Sequence, residues 1–286
     1  MKKNKNTLYI LDKNAIIHIS AYNKDHSDKR FIQEIDFLKN IDDSTNYIGS
    51  FSSIIEGNNL YSLNKHITSE EQSENDLKSI GDFFCNARTD SLDFYKEKLN
   101  VLRNAIFFNS LQGKNSYDFL FFVHKEFHDK KNNKEFTIKN ITEYYKKNNV
   151  SPYLFLIVLS CIFGNTNAVN LLKINKSKYD EKIIYNSLAD LVHILFTITV
   201  RGIFVNKESR SYKRVEFVSF DKGLKEIEKI VKRIIVFRDE MVTNQGISTR
   251  FGICGAIPKA LIPGANKRDI EYLNNSLRGK FIFSTV

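Results

Sequence analysis

The chain has 286 residues, of which 42% are hydrophobic and 27% charged. That is a globular composition, and it excludes wholesale disorder, a fibrous repeat and a mini-protein. Lys and Arg outnumber Asp and Glu by 43 to 33, a formal charge of +10 that favours polyanionic partners such as nucleic acid. Part of that excess is compositional, because 32 Lys, 30 Asn and no Trp are what an AT-rich genome imposes.

Cys85, Cys161 and Cys254 are odd in number and far apart. They suit neither a disulfide framework nor paired zinc ligands, so a reducing cytoplasm is the expected compartment. The basic N-terminus runs into Asp12 and Lys13 too soon for a signal peptide. The longest apolar run, residues 153–163, is short of the roughly 18 residues a bilayer span needs, so no membrane segment is expected.

Residues 7–11 are apolar on both faces, as in a buried parallel strand, and a helix is expected after Asp12-Lys13-Asn14. A helix is expected over 30–38. A brief strand at Asn46-Tyr-Ile-Gly then leads into the helix start Ser52-Ser-Ile-Ile-Glu-Gly. Residues 61–179 carry three- and four-residue apolar spacing and no strand signal, the pattern of a helical insert, with Pro152 opening its most apolar helix. A helix over 180–197 has a wide apolar stripe with Asp190 beside it. After a basic connector, the strand from Val215 ends in Asp221-Lys-Gly-Leu, and an amphipathic helix is expected through Phe237. The last 45 residues read as loops, with a short final strand over 280–284. The expected architecture is α/β, a central mostly parallel sheet flanked by helices. Its core would be discontinuous, 1–60 and 180–286, around an insert at 61–179.

Asp12 and Asp221 each follow an apolar strand and precede a helix, the position where open parallel sheets bind ligands. Glu56 lies in a similar helix start, and Asp190 sits between Ala189 and Leu191 on an apolar helix. Four converging carboxylates raise one another's pKa values and call for a hard divalent cation, Mg²⁺ or Mn²⁺. Each acid also has a bland reading: Asp12 as a helix N-cap, Asp221 as a turn residue and Glu56 as a solvated helix residue. Asp190 is the hardest to explain away, because a buried acid needs a partner.

In order and context these segments resemble the PIN-domain nucleases. The matching stretches are Leu11-Asp12-Lys13-Asn14-Ala15, then Ser52-Ser53-Ile54-Ile55-Glu56, then Ser187-Leu188-Ala189-Asp190-Leu191, then Val218-Ser219-Phe220-Asp221. The resemblance spans roughly residues 7–60 and 180–238. It implies a PIN-like core and metal-dependent phosphodiester hydrolysis, with Asp12, Glu56, Asp190 and Asp221 holding Mg²⁺ or Mn²⁺ and Asn14 and Ser219 orienting those carboxylates. The implied activity is an endoribonuclease of the toxin or phage-defence kind, acting on RNA such as tRNA. A DNA nuclease and a non-catalytic nucleic-acid or protein-binding module are the alternatives, and an antitoxin or regulatory protein is an expected partner. The family spacing departs at Asp190, which is 134 residues from Glu56, and Asp180 is the fallback third acid.

Arg210, Lys213, Arg214, Lys222 and Lys225, close in sequence to Asp221, are expected to contact phosphates, and Tyr212 to stack an unpaired base. His124 and His128 have helical metal-pair spacing, but they lack the His-Glu-x-x-His pattern and a supporting ligand pair. Gly113-Lys114 lacks the upstream glycine of a phosphate-binding loop. His18 and His193 lie in apolar stretches and read as core histidines rather than general bases.

Overall fold

The computed structural model describes residues 6–27, 29–57, 70–103, 114–129, 134–206, 212–243, 246–253, 256–278 and 280–283. Four strands, β1 (Thr7–Leu11), β2 (Tyr47–Gly49), β3 (Arg88–Thr89) and β4 (Arg214–Val218), form an all-parallel sheet in the order β3-β2-β1-β4. All five β1 residues are buried, which is why the strand is apolar on both faces. Its register sets Leu8 beside Tyr47 and Val215, and Leu11 beside Val218.

The chain divides into two compact units. The first comprises residues 1–105, 193–221 and 242–247, and the second 106–192, 222–241 and 248–286.

In the first unit α1 (Lys13–Lys24) leaves the end of β1 and packs on α2 (Ile32–Asn40), α3 (Phe51–Gly57) and α4 (Glu70–Phe83). Lys13 Nζ reaches Asp76 of α4 at 2.5 Å, and Gln72 Nε2 donates to the other oxygen of that carboxylate at 3.0 Å. The helix α5 (Leu92–Arg103) follows β3. Residues 88–89 pair with β2, so the stretch expected to be purely helical supplies the edge strand of the sheet. Two residues are too few to leave a period-two signal.

The second unit contains α6 (Lys114–Asp129), α7 (Lys134–Lys147), α8 (Pro152–Ile162), α9 (Thr166–Leu172), α11 (Lys222–Ile234) and α12 (Lys267–Ser276). Pro152 opens α8, nine of whose eleven residues are buried, and Gly164 (φ +81°) turns the chain out of it. The long helix α10 (Glu181–Asn206) begins in this unit and ends in the first. Residues 181–205 are long and apolar enough to cross a bilayer, and an 18-residue apolar stretch of them is 67% buried inside the protein, as in a core helix.

The amphipathic helix expected to run through Phe237 ends at Ile234, where β5 (Ile235–Thr243) begins. With β6 (Gly246–Ile253), which lies in the stretch read as loops, it forms a second, two-stranded sheet. Among the described residues of the expected final strand, Phe283 makes an isolated parallel bridge to Ile257, and residue 284 lies outside the described residues.

Candidate functional site at the carboxyl ends of β1 and β4

The chain moves outward from β1 to β2 and β3 on one side, then returns to place β4 on the other side of β1. The strand order therefore reverses between β1 and β4. Just beyond the carboxyl ends of strands at such a switch, helices depart to opposite sides and leave a crevice. Asp12 and Ser219-Phe220-Asp221 stand at those two ends.

Asp12 is 3% exposed and its backbone N–H donates to Val218 O at 2.9 Å, extending the β1–β4 ladder by one bond. Its side chain N-caps α1, with Oδ1 accepting from the Asn14 N–H at 2.9 Å. The other oxygen, Oδ2, accepts from Ser219 Oγ at 2.5 Å. Ser219, fully buried, also accepts from the Asp221 N–H at 3.1 Å. One hydroxyl thus ties Asp12 to the backbone of Asp221, whose own side chain is exposed. Asn14 reaches Asp12 through its backbone, and its side chain is exposed.

Glu56 lies in α3, which starts one residue beyond β2, and its side chain is outside those described. Ser53 Oγ of the same helix donates to Leu11 O and fastens α3 to the end of β1. Asp190 is half-buried on α10 and falls in the second unit, whereas Asp12 and Asp221 belong to the first. The fallback acid Asp180 caps α10, accepting from the Ile183 N–H at 3.0 Å, and lies 3.7 Å from Lys178. Among the described residues no three of His, Cys, Asp and Glu are grouped to hold a metal ion. The donor chemistry at Asp12 and Asp221 still suits Mg²⁺, which keeps several waters and commonly takes only one or two protein carboxylates.

The basic residues are dispersed. Arg210 lies outside the described residues. Lys213 precedes β4 and Arg214 opens it, so they stand at the end of the strand away from Asp221, about 13 Å along a five-residue strand. Tyr212 shares that end, with ring centroids 6.3 Å from Tyr47 and 5.9 Å from Phe204. The sequence places these residues near Asp221, but a strand crosses the sheet in five residues. Lys222 and Lys225 lie on α11, in the second unit.

A third strand-end acid escapes sequence reading. Asp90 follows β3, is buried, and accepts from the Ser50 N–H (2.7 Å), the Phe51 N–H (3.0 Å), Ser50 Oγ (3.3 Å) and Tyr47 OH (3.0 Å). Burial raises its pKa above the ordinary carboxylate value, against the pull of those four donors. It caps the first turn of α3. Only the Thr89-Asp90-Ser91 turn chemistry could have signalled it.

The histidines have structural partners. His124 Nε2 lies 2.8 Å from Lys176 O and His128 Nε2 3.1 Å from Ile174 O, so the pair engages the turn after α9. His193 is buried and stacks near Phe217. His18 is held between Phe31 and Phe220 at centroid distances of 3.7 and 5.3 Å. Burial lowers its pKa below 6.5, opposed by the charges of Glu34 and Asp12.

Compared with protein-family models, curated proteins and solved structures, the chain matches none.

Proposed function

We propose that the protein is a Mg²⁺- or Mn²⁺-dependent nuclease with a PIN-like core, hydrolysing phosphodiester bonds of RNA. The observation that carries this reading is the buried Asp12 carboxylate at the switch point of the parallel sheet, held by Ser219 Oγ, the hydroxyl that also accepts the backbone N–H of Asp221. Asp12 is a buried acid whose two oxygens are already oriented, one by the α1 N-terminus and one by a hydroxyl. That orientation is what a carboxylate needs to hold a cation without reorganising.

A divalent cation bound there would lower the pKa of a water and stabilise charge on the phosphodiester. The chain's own part is to fix Asp12 and to keep Asp221 at the solvent edge, and Glu56 joins them in the resemblance. Asp190 completes the set in the resemblance. RNA is favoured over DNA by that resemblance alone, and a toxin or phage-defence role goes with it. Exposed Phe121 and Phe136 of the second unit would serve an antitoxin or regulatory partner.

The capping geometry of Asp12 favours one second reading, a nucleic-acid-binding module without cleavage, because an N-cap explains a strand-end aspartate by itself. Incubation of 5′-labelled tRNA, unstructured RNA and single-stranded DNA with Mn²⁺ separates the two. The nuclease reading expects RNA cutting that EDTA abolishes. Binding without cutting at high protein concentration supports the module.

A further inference from the structure

His124 and His128 stand one turn apart near the end of α6, with ring centroids 4.4 Å apart. Each spends the same nitrogen on the turn after α9: His124 Nε2 donates to Lys176 O at 2.8 Å and His128 Nε2 to Ile174 O at 3.1 Å. A carbonyl oxygen only accepts, so both Nε2 atoms carry the proton, and in each neutral ring the lone pair stays on Nδ1. Tyr179 locks His124 further, stacking on it at 4.4 Å and 3° and donating its OH to Leu172 O at 2.9 Å. Among the described residues neither Nδ1 atom takes a hydrogen bond, and both histidines are half-buried, so solvent reaches the pair.

Holding the 174–176 turn needs two N–H donors, which amide side chains also supply. It does not need two adjacent imidazoles of one tautomer. Histidine ligands of a metal are built in this way: one nitrogen binds the ion while the other donates its N–H to a carbonyl or carboxylate that fixes the ring. Two such nitrogens lie about 2.0–2.1 Å from the ion and so within about 4.2 Å of each other, a span within reach of rings 4.4 Å apart. Imidazole suits Ni²⁺, Cu²⁺ and Zn²⁺, whereas Mg²⁺ and Mn²⁺ prefer oxygen.

We infer that His124 and His128 hold a divalent transition-metal ion of the Ni²⁺, Cu²⁺ and Zn²⁺ group through their Nδ1 atoms, with the remaining positions left to water or an incoming ligand. No third His, Cys, Asp or Glu joins them among the described residues, so the site is an open one. A cation on Nδ1 draws electron density from the ring and strengthens the Nε2–H bonds, so the ion fastens α6 to the turn that leads into α10. The inference concerns residues other than the strand-end acids and does not depend on the nuclease reading.

The test uses the full chain freed of metal. Calorimetric titration is expected to show a Zn²⁺ ion that excess Mg²⁺ does not displace. His124→Gln and His128→Gln keep an N–H for the carbonyl and remove the ring nitrogen. Each is expected to weaken that Zn²⁺ binding about tenfold or more and to melt as the parent does without metal, while His26→Gln, at an exposed histidine, binds as the parent does. Substoichiometric Cu²⁺, which is paramagnetic, is expected to broaden the imidazole NMR signals of His124 and His128 before those of the other four histidines. That measurement needs no variant, so it decides the matter if either Gln variant melts lower. Absence of a Zn²⁺ ion that resists Mg²⁺, undiminished affinity in either Gln variant, or broadening that begins at other histidines overturns the site.

Discussion

Ser219 Oγ donates to Asp12 Oδ2 at 2.5 Å while accepting the Asp221 N–H at 3.1 Å, so one buried hydroxyl holds the ends of β1 and β4 in register. Ser219→Ala removes a charge-assisted bond and leaves the carboxylate short of a donor, a loss of about 1.5–3 kcal/mol in stability. If Asp12 holds a cation, Mn²⁺ affinity falls about 10- to 100-fold as well. Thermal melting reads the first effect and Mn²⁺ titration the second. A variant that melts like the parent contradicts the account of the hydroxyl.

Asp90 separates charge from hydrogen bonding. Its pKa is raised in the folded chain, so the stability it contributes is full below the unfolded value of 3.8 and is lost as pH rises through the folded one. Asp90→Asn removes the buried charge and keeps an acceptor for the Ser50 and Phe51 N–H groups, so stability at pH 7 is expected to be equal or higher. Asp90→Ala leaves those donors unsatisfied and costs about 2–4 kcal/mol. Chemical denaturation of both variants at pH 7 checks the order, which reverses if the ionised carboxylate itself is what holds α3.

His18 makes the opposite sign. Its folded pKa lies below 6.5, so the unfolded chain binds the proton more readily. The contribution to stability is therefore full above pH 6.5 and lost as pH falls through the folded value. NMR titration of the His18 imidazole is expected to give a midpoint below 6.5. A midpoint at or above 6.5 would show that the charges of Glu34 and Asp12 outweigh burial.

Gly264 tests the packing of the second unit. Its N–H donates to Phe163 O at 2.7 Å, and a Cβ built there falls 2.6 Å from that same oxygen. Backbone must shift to admit it, so Gly264→Ala is expected to lower stability by about 1–3 kcal/mol. Gly81, where a Cβ meets nothing within 4 Å, is the control: Gly81→Ala in α4 should be neutral or stabilising in the same melting experiment.

What the sequence shows of this architecture follows the length of each signal. Thr7–Leu11 is apolar on both faces and stops at Asp12, so β1, its parallel pairing and its strand-end acid are legible. Arg88–Thr89 has no periodicity to read, and with it goes Asp90. The apolar residues Ile227, Ile230, Val231 and Ile234 continue directly into Ile235, Val236 and Phe237, so helical spacing carries past the real end of α11 into β5. Lys213 and Arg214 show the limit of nearness in sequence, since β4 carries them to the other end of the sheet from Asp221. Ser219 was found because the resemblance named it, and its bond to Asp12 crosses 207 residues, a distance that no local pattern reports.

The central claim is that Asp12 is there for chemistry as well as for capping. Asparagine caps a helix as well as aspartate does, but its single oxygen cannot also accept from Ser219 Oγ, so Asp12→Asn is expected to keep the fold at a cost of about 1.5–3 kcal/mol, while removing a metal-binding charge. The direct measurement is Mn²⁺-dependent cleavage of 5′-labelled single-stranded RNA by the parent and by Asp12→Asn, with melting curves of both and an EDTA control. The account predicts cutting by the parent that EDTA abolishes, and no cutting by a variant that still melts cooperatively above the assay temperature. Undiminished cutting by Asp12→Asn, or no cutting by the parent, would contradict it.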